Sequence, residues 1–300
     1  MSRKPIEICQ YHTLHEAREL LSGSTDRIVT QLNPNSLRRR AAFIQAAAFD
    51  FDGSLAEGSQ WAHVKALIPQ ALRDEDNADL QSYLEWAKQE RIVQSVLTDP
   101  NWLMGNGDHM NTAAREGAWI SRSIQRFIDA GLTRADFEQA GMNVQLRKGA
   151  TDLFRQIPTR VIISMGLEQV IRACIERYML TSAIAATRLN FGPDGALIGY
   201  HPNVVVSSTK TVALNRFMHL NGISVANHLV IGDSYIDIGM MPEHSFNVWI
   251  LPHTEEVEGI AEFREARFES MLRRVTMVLY SNSLEPLARL LQEAKNSPSV

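Results

Sequence analysis

Short apolar runs that alternate with helical patterns constrain this chain more than any other feature of its sequence. The runs Ala46–Phe51, Arg160–Ile163, Ala183–Thr187, His228–Ile231 and Phe246–Leu251 are each closed by small or polar residues. Runs of this length read as strands buried on both faces. Between the later ones, Val170, Ile171, Cys174, Ile175, Tyr178 and Met179 recur at helical spacing, as do Val212, Ala213, Leu214, Phe217 and Met218. Strands joined by crossover helices build a parallel sheet in the α/β class, with functional residues collected at the carboxyl ends of its strands. Arg188–Phe191 and Ala196–Tyr200, joined by Gly192-Pro193-Asp194-Gly195, read as a small hairpin carried on that sheet.

The rhythm breaks after the first strand. About 100 residues precede the second, whereas a full crossover unit needs about 30, so a segment has been inserted. Its patterns are helical over Asp79 to Val96 and Asn111 to Ala130, with Trp119, Ile120, Ile124, Phe127 and Ile128 on one face of the latter. Thr133 then caps a short helix toward Ala140, with Asp136 in its first turn. Such an insertion, placed above the strand ends, is positioned to act as a lid. At the amino terminus Thr13 to Leu32 reads as helical around a Ser22-Gly23-Ser24 break, and Ser36 as the cap of a further helix. Past Pro252, Val257–Leu279 and Ser283–Ala294 read as amphipathic helices. The expected division is a helical extension at 1–44, a core at 45–57 and 149–252, a helical cap at 58–148 and a helical extension at 253–300.

Composition removes several function classes. The 300 residues are 45% apolar and 21% charged, with a formal net charge of −4 and a pI near 6.2. There is no basic field to hold a nucleic acid polymer or an anionic membrane. Cys9 and Cys174 stand alone, spelling neither a disulfide framework nor a thiolate zinc site, which fits a reducing cytoplasm. The opening residues lack the apolar stretch of a secretory signal, and Ala41 to Phe49, interrupted by Gln45, is far shorter than the ~20 residues of a spanning helix. The expected location is cytoplasmic.

The residues that carry chemistry stand at the ends of these runs. Asp50 and Asp52 project to one side of an extended chain just past the first strand. Like charges that close need a shared proton or a cation, and hard oxygen ligands suit Mg²⁺. Gly53 allows a tight exit from the strand, and the Ser54 hydroxyl can tie the turn. The second strand runs into Ser164-Met165-Gly166 and a helix near Leu167, where a hydroxyl and backbone amides at a helix start form a phosphate site. Val204-Val205-Val206, read as another strand end, leads through Ser207-Ser208-Thr209 to Lys210 at a helix start, a placement that suggests a nearby anion. The fourth strand ends in Gly232-Asp233-Ser234, with Asp237 four residues beyond Asp233. Each feature alone is also what an acidic turn, a serine cap or a solvated lysine looks like.

Their order, acid pair, serine, lysine, acid pair, resembles the haloacid dehalogenase superfamily of phosphatases and phosphotransferases over Ala46 to Pro252. The resemblance implies a Rossmann-like core with an inserted cap, and it implies roles. Asp50 is the nucleophile that forms an aspartyl-phosphate, and Asp52 is the general acid and then the base. Ser164 and Lys210 hold the phosphoryl group, with Gly53, Met165 and Gly166 lining it. Asp50, the backbone carbonyl of Asp52 and Asp233 hold Mg²⁺, and Asp237 supports the metal or orients Lys210. Phosphate monoesters call for such a concert, since enhancements reach ~10²¹, roughly 28 kcal/mol.

An insertion between the first two motifs is what the superfamily terms a type-one cap. Within that group the chain is similar to the cytosolic pyrimidine 5′-nucleotidases through Glu116, Trp119, Gly131-Leu132, Gln145–Gly149, Gly195–Tyr200, Lys210 and Ala213-Leu214. It is more distantly similar to phosphoserine phosphatases. Met165 stands where the family has a small residue. The expected activity is Mg²⁺-dependent hydrolysis of a small phosphorylated metabolite, with nucleoside 5′-monophosphates the leading class. The alternatives are another metabolite (phosphoserine, a sugar phosphate or a biosynthetic intermediate), phosphoryl transfer to an alcohol, or an idle scaffold that assembles through its helical ends. Homo-oligomers are compatible with those ends. Trp61, His63 and Trp119 either stack on a base or pack the cap core.

Overall fold

A computed structural model describes residues 6–88, 109–253 and 265–296. Its strands are β1 (Ile8–Gln10), β2 (Arg27–Thr30), β3 (Ala46–Phe49), β4 (Thr159–Leu167), β5 (Ala183–Thr187), β6 (Leu189–Phe191), β7 (Leu197–Tyr200), β8 (His228–Gly232), β9 (Phe246–Leu251) and β10 (Met277–Tyr280). Eight of them form one sheet in the order β1-β2-β10-β9-β8-β3-β4-β5, and β6 with β7 makes a separate antiparallel pair. The sheet is mostly parallel, β10 against β2 being antiparallel. This is a Rossmann-like α/β fold, as the alternating runs imply. Contacts divide the chain into two compact units: Met1–Asp50 with Leu146–Arg160 and Met218–Val300, and Phe51–Gln145 with Val161–Phe217.

In the first unit every residue of β3, β8, β9 and β10 is buried, which is why the first three read as continuous apolar runs without alternation. Alanine is a poor strand former, yet Ala46-Ala47-Ala48 make a strand because the residues of β8 pair with them one for one. Phe49 stacks on Phe154 with ring centroids 5.0 Å apart. The helix Glu285–Asn296 buries Leu287, Leu290, Leu291 and Ala294, the stripe that its helical spacing predicts.

The structure differs from the sequence reading at both ends of this unit. The stretch read as helical from Thr13 to Leu32 is a helix only over Leu14–Leu20, capped by Thr13 through a capping box with Glu16. The segment read as its continuation forms β2, and Ile8–Gln10 forms β1. The cap of the next helix, Pro34–Ala42, is Asn33, whose side chain accepts from the Ser36 amide, rather than Ser36. Val257–Leu279 is not one helix: Glu265–Arg274 is helical and Met277–Tyr280 is strand, while 257–264 lie outside the described residues. The reason is long-range pairing. Val29 pairs with Val278, and the Thr30 hydroxyl donates to the Thr276 carbonyl at 2.7 Å, across 246 residues that no local window spans.

The second unit holds the helices Gln60–Lys65, Gln70–Lys88, His109–Asp129, Arg134–Asn143 and Glu168–Arg177, the helix Ser207–Asn221 as far as Phe217, and β5, β6 and β7. The helix read over Asp79 to Val96 is helical from Gln70 to Lys88; its remainder lies outside the described residues. Thr133 stands at the N-cap as expected, but Asp136 makes the contact: its carboxylate accepts from the Thr133 amide and hydroxyl at 2.7 Å each. Helices Arg134–Asn143 and Glu168–Arg177 meet at Gly141, where a Cβ would lie 2.4 Å from the Val170 carbonyl oxygen. Trp61 and Trp119 are buried with centroids 4.9 Å apart, and Phe127 stacks on Trp61, so the two indoles pack a core. Among the described residues no helix is long and apolar enough to cross a membrane.

Candidate active site

In the first unit, parallel pairing places two acids together. Phe49 is level with Ile231, and the Asp50 amide donates to the Ile231 carbonyl at 2.9 Å, so Asp50 and Asp233 emerge side by side from β3 and β8. Asp237 returns through a short 3₁₀ turn, Tyr235–Met240. Its Oδ2 accepts from the amides of Asp233 at 3.0 Å and Ser234 at 3.2 Å, and from the Ser234 hydroxyl at 3.3 Å. Gly232 leaves room for it, since a Cβ there would lie 2.4 Å from the Asp237 Cβ. The Asp233 carbonyl accepts from the Trp249 indole at 2.8 Å, which anchors the loop to β9.

One ligand oxygen from each of Asp50, Asp233 and Asp237 lies within 4.8 Å of the others. Asp50 and Asp237 are buried. Three carboxylates gathered this closely, two of them out of water, repel one another unless a cation or protons intervene. An all-oxygen donor set suits a hard divalent cation rather than zinc or copper. These residues therefore fit a metal of that class.

The other predicted residues lie in the second unit. Asp52 (φ −69°, ψ 129°) and Gly53 (φ 74°, ψ −22°) are the central residues of a type II turn, whose second position requires positive φ and hence glycine. Burial pushes the Asp52 carboxyl up to about 6, against two hydrogen bonds from Gln60 and the charge of Lys210, which hold it down. Lys210 is buried in the first turn of helix Ser207–Asn221. The strand expected at Val204–Val206 is absent, so Lys210 follows a loop rather than a strand end. Ser164 is buried, and β4 runs past it to Leu167 with an irregular register against β5 between Ile163 and Leu167. The Gly166 amide donates to Ser164 Oγ at 3.0 Å, so this amide is already engaged.

Two supporting side chains were given no role in the sequence reading: Gln60 was not singled out, and Glu116 entered only as part of the family likeness. Gln60 contacts Asp52. Glu116, buried at 1% exposure, accepts from the Ser207 amide and hydroxyl at 2.8 Å each and from the Tyr83 hydroxyl at 2.9 Å. Burial raises its carboxyl above the usual range, opposed by the Ser207 and Tyr83 donors and the Lys210 charge. It thus holds the first residue of the Lys210 helix. The signal was a lone acid in the apolar face of His109–Asp129. Glu116→Ala strands the Ser207 and Tyr83 donors, and is expected to lower unfolding free energy by about 2 kcal/mol in urea titrations, with Glu116→Gln losing less.

No protein-family model matches the sequence, and no curated protein matches it. Solved structures do match the fold. A structure of cytosolic 5′-nucleotidase IIIB bound to cytidine superposes with a TM-score of 0.61 at 14% identity, covering 95% of this chain and 99% of that one. A HAD family hydrolase from Salmonella enterica subsp. enterica serovar Typhi gives 0.59 at 16% identity, over 83% of this chain and 71% of that one. A phospho-aspartyl intermediate analogue of phosphoserine phosphatase gives 0.54 at 14% identity, over 82% and 98%. The chain has the fold of these proteins.

Proposed function

We propose that this protein is a Mg²⁺-dependent phosphomonoester hydrolase working through an aspartyl-phosphate on Asp50, with nucleoside 5′-monophosphates as its leading substrates. The observation that carries the reading is the cluster of Asp50, Asp233 and Asp237 just past β3 and β8. It is supported by the likeness in fold to a nucleotidase whose structure holds cytidine.

A carboxylate oxygen of Asp50 attacks phosphorus, the ester P–O bond breaks, and the leaving alkoxide takes a proton from Asp52. Asp52, now ionised, removes a proton from water, which attacks the aspartyl-phosphate and releases inorganic phosphate and free Asp50. Ser164, the Met165 amide and Lys210 hold the equatorial oxygens, and the Gly166 amide, donating to Ser164 Oγ, orients that hydroxyl toward them. Gly53 keeps the turn that aims Asp52. Asp50, the Asp52 carbonyl and Asp233 would hold Mg²⁺, with Asp237 in support; the ion would offset the charge of the phosphoryl group. The free cysteines support a reducing, cytoplasmic setting.

Phosphoserine phosphatases share the fold as well, which makes a small phosphorylated amino acid the second reading. A panel of nucleoside 5′-monophosphates, phosphoserine, sugar phosphates and p-nitrophenyl phosphate, with and without an acceptor nucleoside, separates the substrate classes and detects phosphoryl transfer. Nucleotide hydrolysis is expected to lead, to vanish in EDTA and to return with Mg²⁺. Inactivity toward every ester with Mg²⁺ present would point to a scaffold instead.

A further inference from the structure

Three hydrogen bonds of Gln60, a fully buried residue at 0% exposure, touch the two segments assigned to the chemistry. Its backbone N–H donates to Asp52 Oδ1 at 2.6 Å, and its side-chain Nε2 donates to Asp52 Oδ2 at 3.2 Å. Its Oε1 accepts from the Leu167 amide at 2.8 Å. The orientation of the side-chain amide is fixed from both ends: the Leu167 N–H demands an acceptor, and a carboxylate oxygen demands a donor. A flipped amide would set donor against donor and acceptor against acceptor.

The fit is also steric. A Cβ at position 166 would lie 1.9 Å from Gln60 Nε2 and 2.3 Å from Gln60 Cδ, so glycine at 166 is what lets the amide reach Asp52. Ser59 accepts from the Trp61 amide and starts the helix Gln60–Lys65, so Gln60 is the first residue of a capped helix and its N–H points back along the chain. Backbone and side chain of one residue therefore hold both oxygens of one carboxyl.

We propose that Gln60 is the positioning residue for proton transfer by Asp52, fixing the plane of its carboxyl and tying it to the Gly166–Leu167 backbone. This rests on the reading of Asp52 as general acid. Donors on both oxygens leave the remaining lone pairs to carry the transferable proton. The residue should therefore matter in proportion to how much the leaving group needs that proton.

The leaving group supplies the test. An alkoxide leaves poorly without protonation, whereas p-nitrophenolate leaves readily, and kcat/KM reports the steps up to formation of the aspartyl-phosphate. The full chain with Mg²⁺ is assayed as wild type, Gln60→Ala and Gln60→Met on p-nitrophenyl phosphate and on the best alkyl ester of the panel. Met keeps the buried volume without the amide, which covers a folding failure of the alanine variant. The expected result is a loss in kcat/KM of about 100-fold on the alkyl ester and under about threefold on the aryl ester. Equal losses on both esters, or none on either, would overturn the proposal. Asp52→Asn run alongside tests the underlying reading: equal losses on both esters there would remove Asp52 as general acid, whatever Gln60 does.

Discussion

Asp50→Asn is expected to reduce phosphomonoesterase activity at least about a thousandfold while the protein remains folded. An amide oxygen is a far weaker nucleophile than a carboxylate, and the acyl phosphate cannot form on it. The same change removes one of three mutually repelling charges, whose ligand oxygens lie within 4.8 Å of one another. Stability without added metal should therefore hold or rise, because like-charge repulsion among Asp50, Asp233 and Asp237 is relieved. The two readouts are initial rates on the best ester with saturating Mg²⁺, and the urea midpoint in EDTA. Full activity in a folded Asp50→Asn protein would end the covalent reading. A collapse of both activity and midpoint would show that Asp50 supports the fold rather than the chemistry.

His228 sets the second large effect, one of stability with pH. The residue opens β8 opposite Ala46 and is fully buried. Burial pushes its imidazole down to about 4 from an ordinary 6.5. Between those values the unfolded chain binds a proton that the folded chain refuses, so stability rises with pH across the window. The stabilisation is complete above about 6.5 and is lost as pH falls toward 4; at 1.36 kcal/mol per unit it is on the order of 3 kcal/mol. Urea unfolding at pH 7.5, 6.0 and 5.0 should show this loss, and His228→Gln should flatten the dependence over that range. An unchanged slope in the variant would assign the acid sensitivity to other groups.

Local composition announced the central strands because parallel strands covered on both faces must be apolar throughout. Ala46–Phe49, His228–Gly232 and Phe246–Leu251 therefore stood out, as did the acids following the first two. Gly53 was legible for a similar reason, since positive φ leaves few other choices. The edge of the sheet was not. Arg27–Thr30 is short, and its partner Met277–Tyr280 lies about 250 residues away, so nothing nearby distinguishes it from a helix end. Gln60, and the role of Glu116, were hidden differently. Their polar groups are matched to single backbone amides and hydroxyls brought in from residues 167 and 207. Such pairings obey no periodicity and carry no residue-type signature. Lys210 was recognised by its order in the chain, while the strand drawn before it does not exist.

The place of β10 between β2 and β9 bears on how the chain reaches its folded state. Residues 27–30 are made well before their antiparallel neighbour, which is complete only once translation has passed Tyr280. Until then β2 has β1 alone, and a two-stranded ribbon is marginal in water. Strands β1 and β2 must wait, unpaired on one side, while the residues between Thr30 and Met277 are made. A polypeptide cut short before Met277 is left with an open sheet edge on β9, the kind of surface that recruits other chains. Among the described residues β10 thus joins β1 and β2 to the rest of the sheet, and its synthesis is a condition for closing that aggregation-prone edge.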